Sequence, residues 1–257
     1  MNGLTAENLT FSYSTRPVLK NLAFDALPTG KLTVLIGPNA AGKSTLFRLI
    51  AGLAKPKTGQ IMLNGDNLGN LSTRERLKRI CFMPQYFAAN AALTVFDVVM
   101  MSLKQLRGWR VSEADMQAVG TALAQAGIGH LSEAYVSELS GGQSQMVSVA
   151  QALIRSSDVY LFDEPTSALD LGHQLDVLGR IKSAMTARGS IGIVALHDLN
   201  LAARFADHLI LLGHGRILAH GAPDVVLRSS AISEIYKVDV EIAQGPREDL
   251  TVHAYPL

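Results

Sequence analysis

The sequence predicts an α/β protein interrupted by a helical insertion. Three observations carry this. Short apolar runs alternate with helix-patterned stretches along most of the chain. A glycine-bearing segment, Gly37 to Ser44, stands between an apolar run and a helical pattern. From about residue 94 to 154 the pattern turns helical throughout.

Taken in order, Leu9–Tyr13 and Leu32–Ile36 read as strands, and Ser44–Ala51 as a helix. Gln60–Leu63 reads as a strand between turns at Gly59 and Gly65, and Ile80–Met83 as a strand stopped by Pro84. In the insertion, Met116, Val119 and Leu123 fall on one helical face. Val159–Phe162, Ile191–Leu196 and Leu209–Leu212 are short continuous apolar runs, the pattern of strands buried on both faces. After Gly221 the chain carries Pro223, Pro246 and Pro256 and reads as an irregular appendage. The expected division is a core at about 1–93 and 155–220, a helical subdomain at about 94–154, and the appendage at 221–257.

The 257 residues include 23 Lys and Arg against 22 Asp and Glu, a net charge of +1, so no basic footprint for nucleic acid exists. Hydrophobic residues are 48% and charged ones 18%, which excludes intrinsic disorder. The single cysteine, Cys81, excludes an internal disulfide or a multi-cysteine metal site and reads as an inert buried thiol. The first residues lack a basic stretch followed by an apolar run, and no run reaches the ~18 apolar residues of a membrane span. A soluble chain of a reducing compartment is expected. The mean hydropathy of +0.20 suggests apolar surface kept for a partner.

Gly37-Pro38-Asn39-Ala40-Ala41-Gly42-Lys43-Ser44 fits G-x-x-x-x-G-K-[ST], with a strand before it and a helix after. Glycines let amide groups wrap a phosphate, and the helix N-terminus adds its positive end. Lys43 can then reach the β- and γ-phosphates and Ser44 can ligate Mg²⁺. Ala40 stands where glycine is frequent, and alanine tolerates positive φ poorly, so a negative φ is expected there. Downstream, the Val159–Phe162 strand ends in Asp163-Glu164. Strand alternation would send the two carboxylates to opposite sides, Asp163 to Mg²⁺ and Glu164 to a water as general base. Between these motifs, Leu139-Ser140-Gly141-Gly142-Gln143 opens a helical run with Ser140 as N-cap, a second anion-binding helix terminus.

These motifs, in this order, make the chain resemble the ATP-binding-cassette ATPases, the nucleotide-binding subunits of ABC transporters. The resemblance covers nearly the whole chain. It implies a P-loop NTPase with a RecA-like core, an antiparallel β subdomain and an inserted α-helical subdomain. It also implies a head-to-tail homodimer that sandwiches ATP and Mg²⁺. Matched onto this chain, ATP would be held by Tyr13 and by Gly37, Pro38, Asn39, Ala40, Ala41, Gly42, Lys43, Ser44 and Thr45. From the other subunit, Ser140, Gly141, Gly142, Gln143 and Asp170 would close over it. Ser44, Gln85 and Asp163 would hold the metal, and Glu164, His197, Lys43 and Gln85 would act in hydrolysis. Considered alone, Tyr13 is equally an edge-strand aromatic, Gln85 a surface residue and His197 a structural histidine. Ser144, Met146 and Gln151 stand where members often carry basic residues.

His197-Asp-Leu-Asn200, Gly215-Arg-Ile and Ala219-His-Gly-Ala-Pro223 most resemble ATPases of importers for iron-siderophores, haem and cobalamin. The resemblance places the chain at the cytoplasmic face of the inner membrane. Its expected partners are transmembrane permease subunits, contacted near Gln85–Arg110, and indirectly a periplasmic or extracellular substrate-binding protein. Val98, Val99, Met100, Met101 and Leu103 are candidate groove residues, although core burial suits most of them better. Lys104 to Arg110, with Trp109, reads as a basic stretch that faces lipid headgroups or the permease, or is simply a solvated loop. The rival functions are another metal-ion importer, an exporter, a soluble non-transport ABC ATPase, or a small-molecule kinase. The kinase would have no use for Leu139–Gln143.

Overall fold

The computed structural model describes residues 3–85, 92–105, 108, 110–245 and 250–257. Trp109 and Pro246, named above, lie outside the described residues, as does part of the expected permease contact. The strands are β1 (Leu4–Tyr13), β2 (Arg16–Phe24), β3 (Leu32–Ile36), β4 (Thr58–Leu63), β5 (Asp66–Asn67) and β6 (Ile80–Met83) in the first third of the chain. Later come β7 (Val159–Asp163), β8 (Ile191–Ala195), β9 (His208–Gly213), β10 (Arg216–Gly221), β11 (Val238–Gln244) and β12 (Leu250–Pro256). The helices are α1 (Lys43–Ala51), α2 (Thr73–Arg79), α3 (Val95–Lys104), α4 (Glu113–Gln125) and α5 (Gly141–Leu153). They are followed by α6 (Leu171–Arg188), α7 (Leu199–Phe205), α8 (Pro223–Leu227) and α9 (Ser230–Tyr236).

The central sheet has the order β10-β9-β3-β8-β7-β6, all parallel except β10. Period-two geometry sends alternate side chains to two cores. Leu32, Val34 and Ile36 of β3, Tyr160 and Phe162 of β7, and Leu209 and Leu211 of β9 face the core shared with the helices. Leu35, Val159, Leu161, Ile210 and Leu212 face a second core, under α1 and a four-stranded antiparallel sheet, β2-β1-β4-β5. Burial on both faces explains the unbroken apolar runs. Each such Leu, Ile or Phe stabilises the fold by about 1.5–3 kcal/mol.

Several local expectations change. Gly59 lies inside β4 at φ 86, at a register shift against β1, where a Cβ would meet Glu7 O at 2.3 Å; it forms a bulge, not a turn. In α4, Val119 and Leu123 are buried but Met116 is exposed. The inward position one turn before Val119 is Asp115, drawn in because Lys104 Nζ donates to its Oδ2 at 2.5 Å. Lys104 is therefore a buried ion-pair partner and not part of a solvated loop. Val98, Val99, Met100 and Leu103 are core, so of the candidate groove residues only Met101 is exposed. Cys81 is buried as expected, and burial pushes its thiol up to about 11. The segment after Gly221 is regular: two short helices and the β11–β12 hairpin, with Ile232, Val252, Val240 and Ile242 joining the helical-side core.

Candidate functional site

The loops that follow the parallel strands gather the sequence motifs at one edge, where open α/β sheets bind ligands. After β3 the chain turns through Gly37 at φ 152, where a Cβ would stand 2.1 Å from Leu212 O. Gly42, at φ 111, would press a Cβ to 2.7 Å from Leu19 Cδ2. Both approaches require glycine. Gly42 is the N-cap of α1 and supplies no side-chain cap, so the first-turn amides are left for a ligand. Lys43 is buried, and its Nζ donates to Gly37 O at 2.6 Å and Pro38 O at 3.3 Å. Burial lowers its pKa, opposed by the Glu164 and Asp163 carboxylates.

Ala40 contradicts the expectation of a negative φ: it sits at φ 63. The loop closes Ala41 N onto Pro38 O at 3.2 Å, and this tight curl holds Ala40 in the left-handed region despite its Cβ.

A cavity of about 670 Å³ opens over this loop and is lined by Tyr13, Pro38 to Thr45, Glu164 and His197. Asp163, at the end of β7, is buried, and burial raises its pKa against a hydrogen bond with Ser44. Its Oδ1 has no hydrogen-bond partner among the described residues. A buried, unpartnered carboxylate oxygen beside a hydroxyl is a donor set suited to Mg²⁺, and the phosphate loop beside it suits a nucleoside triphosphate.

Glu164 takes a different neighbourhood, but not by strand alternation. The strand ends at Asp163, and Glu164 has φ 54. Its Oε2 accepts from Gln85 Nε2 at 2.6 Å, and its Oε1 is in hydrogen-bond contact with His197 Nε2. Side chains that follow β6, β7 and β8 thus converge on one carboxylate. Gln145 of α5 donates to Glu164 O at 3.2 Å, a contact that sequence reasoning missed because no motif marks it. His214 and Ile235 line the same cavity and were also missed, since they follow β9 and lie on α9, far along the chain.

Tyr13 is partly exposed at the cavity rim, edge-on to Phe11, and its hydroxyl accepts from Arg48 Nη1 at 3.2 Å. The Ser140 segment lines a different cavity, of about 680 Å³, together with Asp170 and His173. Ser140 caps α5 as expected: its Oγ accepts from Gln143 N at 3.2 Å while Gln143 Oε1 accepts from Ser140 N at 2.9 Å. Asp170 caps α6, accepting from His173 N at 3.0 Å. Of the unusual positions, Gln151 ties α5 to α3 through Val98 O and Ser102 Oγ, both at 3.1 Å, and Met146 is buried.

The sequence profile of the ABC transporter family matches residues 19–167. The chain belongs to the ABC transporter family. It is an ATPase of that family. The achromobactin transport ATP-binding protein of Dickeya dadantii is 37% identical over 248 residues, 96% of this chain and 92% of its own. The ferric enterobactin transport ATP-binding protein of Escherichia coli is 35% identical, over 95% and 90% of the two chains. Among solved structures, an ATP-binding-cassette dimer in a post-hydrolysis state with ADP and phosphate superposes with a TM-score of 0.78 at 27% identity. That match covers 86% of this chain and 98% of the other. The α/β cassette expected from the motifs, with its antiparallel sheet and inserted helices, is the observed fold of this ABC ATPase.

Proposed function

We propose that this chain hydrolyses ATP as one half of a homodimeric motor that drives import of chelated iron, bound by a siderophore or held in haem. One observation carries the motor reading. Two ligand-facing helix N-termini, at Gly42–Thr45 and Ser140–Gln143, line separate cavities of one chain. A nucleotide on the first leaves the second free for the nucleotide of another copy, which a two-fold, head-to-tail pairing satisfies. The cargo class rests on relatives named for achromobactin, ferric enterobactin and hemin transport.

In this reading the first-turn amides of α1 and Lys43 bind the β- and γ-phosphates, Lys43 exchanging its two carbonyl partners for phosphate oxygens. Ser44, Gln85 and Asp163 would hold Mg²⁺, which would offset phosphate charge. Glu164 takes the proton of the attacking water, and ATP and water give ADP and phosphate. Gln85 and His197 orient that carboxylate and sense the γ-phosphate. Tyr13 stacks on adenine, and Ser140 to Gln143 with Asp170 close over the partner's nucleotide. Gln85 and the region toward Arg110 carry the motion to permease subunits, which keeps the chain at the cytoplasmic face of the membrane. Among the described residues no helix is long and apolar enough to cross a membrane.

Glu164→Gln tests the mechanism. Turnover is expected to fall at least about 100-fold, with an ATP-dependent dimer on gel filtration. Wild-type turnover in that variant would remove Glu164 as the base. Gentle solubilisation and identification of the co-purifying permease tests the transport reading; ribosomal or DNA-bound proteins in its place would refute it.

A further inference from the structure

The C-terminal hairpin grips the helix that follows His197. Asn200, in the first turn of α7, turns its amide onto β12. Its Oδ1 accepts from Val252 N at 2.7 Å and its Nδ2 donates to Val252 O at 3.2 Å. One side chain thereby satisfies both backbone groups of one residue, as a neighbouring strand would. Val252 itself is buried in the helical-side core, opposite Ile242 of β11.

The same turn is tied to the site on its other side. Asp198 caps α7, accepting from Asn200 N at 2.7 Å and Leu201 N at 3.0 Å. His197 immediately precedes Asp198 and contacts Glu164. With seven residues, α7 is too short to set its own start, and an isolated two-stranded hairpin is marginal by itself. α7 also buries Leu201, Ala202 and Ala203 in the core that Val252 joins, so the two Asn200 bonds tie its first turn to the edge of that core. In addition, α9, which leads into the hairpin, puts Ile235 on the wall of the nucleotide cavity.

We propose that Asn200 is a positioning residue for ATP hydrolysis: by holding Val252 it makes the C-terminal hairpin a brace that sets where the His197 ring stands against Glu164. This rests on the role given to His197 above. Substituting Ala at Asn200 removes both bonds between the first turn of α7 and β12 and leaves the Asp198 cap in place. Asp keeps the acceptor for Val252 N and loses the donor.

The test uses the full chain with Asn200→Ala and Asn200→Asp. Two quantities are read: kcat and KM for Mg·ATP, and the His197 ring resonances in nucleotide-free protein, assigned by their loss in His197→Ala. In Asn200→Ala, kcat is expected to fall about tenfold with KM within about twofold, and the His197 resonances to move. Asn200→Asp, which sets a carboxylate oxygen against Val252 O, should also lower kcat and move the His197 resonances, and it decides the matter alone if Asn200→Ala does not fold. Unmoved His197 resonances, unchanged kcat, or a rise in KM with kcat intact would overturn the proposal. Wild-type turnover by His197→Ala would instead overturn the role of His197, and the brace's catalytic purpose with it. Normal loss in His197→Ala with no effect at Asn200 removes the brace alone.

Discussion

At Ala40, Glu164 and His214 the cavity wall holds three non-glycine residues in left-handed backbone, at φ 63, φ 54 and φ 51. Such residues cost on the order of 1 kcal/mol each and persist only where the surroundings impose them. Ala40→Gly is accordingly expected to raise stability by at most about 0.5 kcal/mol, measured by urea unfolding, since glycine relieves the strain but gains unfolded-state freedom. Glu164 cannot be relieved the same way, because its carboxylate is the point on which Gln85 and His197 converge. The sequence made Lys43, Ser44, Asp163 and Ser140 legible because phosphate chemistry requires those residue types at fixed spacing. Ala40 was misread for a physical reason: a tight curl overrides the preference of a single residue. Gln145 and Asn200 were illegible because a side-chain amide bonded to a distant carbonyl leaves no local trace.

At the level of single elements, the contact between α3 and α4 turns on one buried ion pair. Lys104 and the Ser112 cap hold the Asp115 carboxyl well below the usual carboxylate range. The sign follows from that depression. The pair's contribution is fully present above the unfolded carboxylate value of about 4 and is lost as pH falls through the lower folded value. Asp115→Asn is expected to lower the urea midpoint at pH 7, leaving Lys104 buried without its anion, and the gap from wild type should begin to narrow below about pH 4 and close only as pH falls through the lower folded value. Equal gaps at pH 7 and pH 3 would show that charge is not the cause. Elements with two buried faces, such as β3 and β7, could be read directly from their apolar runs. The helix α2 could not, because it buries none of its residues and shows no apolar stripe. Strand β2 escaped because polar Lys20 and Asn21 interrupt its alternation. The hairpin β11–β12 escaped because its prolines and charges resemble loop composition, although its alternate residues pack on the core.

Across the molecule, the antiparallel sheet is joined to the parallel one by the shared core under α1 and by Arg79. That side chain donates to Asp66 Oδ2 at 2.6 Å, Asp158 Oδ2 at 2.9 Å and Leu63 O at 3.3 Å, so it spans β4, β5 and the start of β7. The pairs are partly exposed and individually weak. Arg79→Ala is expected to ease local opening of β4 and β5 by about 1 kcal/mol, read as amide exchange that quickens there and not in the central sheet. Uniform acceleration across both sheets would mean that the two unfold as one unit.

Cys81 gives the wild-type chain a built-in clock. It is the sole thiol, it sits on the outermost parallel strand, and its Sγ faces Ala152 O of the helix that begins at Gly141. A thiol so buried and so weakly acidic reacts slowly with an alkylating reagent, through the small cavity it shares with Ser148, Gln151 and Ala152 of α5. The labelling rate therefore reports on one seam, between the sheet that carries Asp163 and the helix that carries the Ser140 cap. Slower labelling on adding Mg·ATP would mean that nucleotide draws that seam shut, read out without altering a single residue.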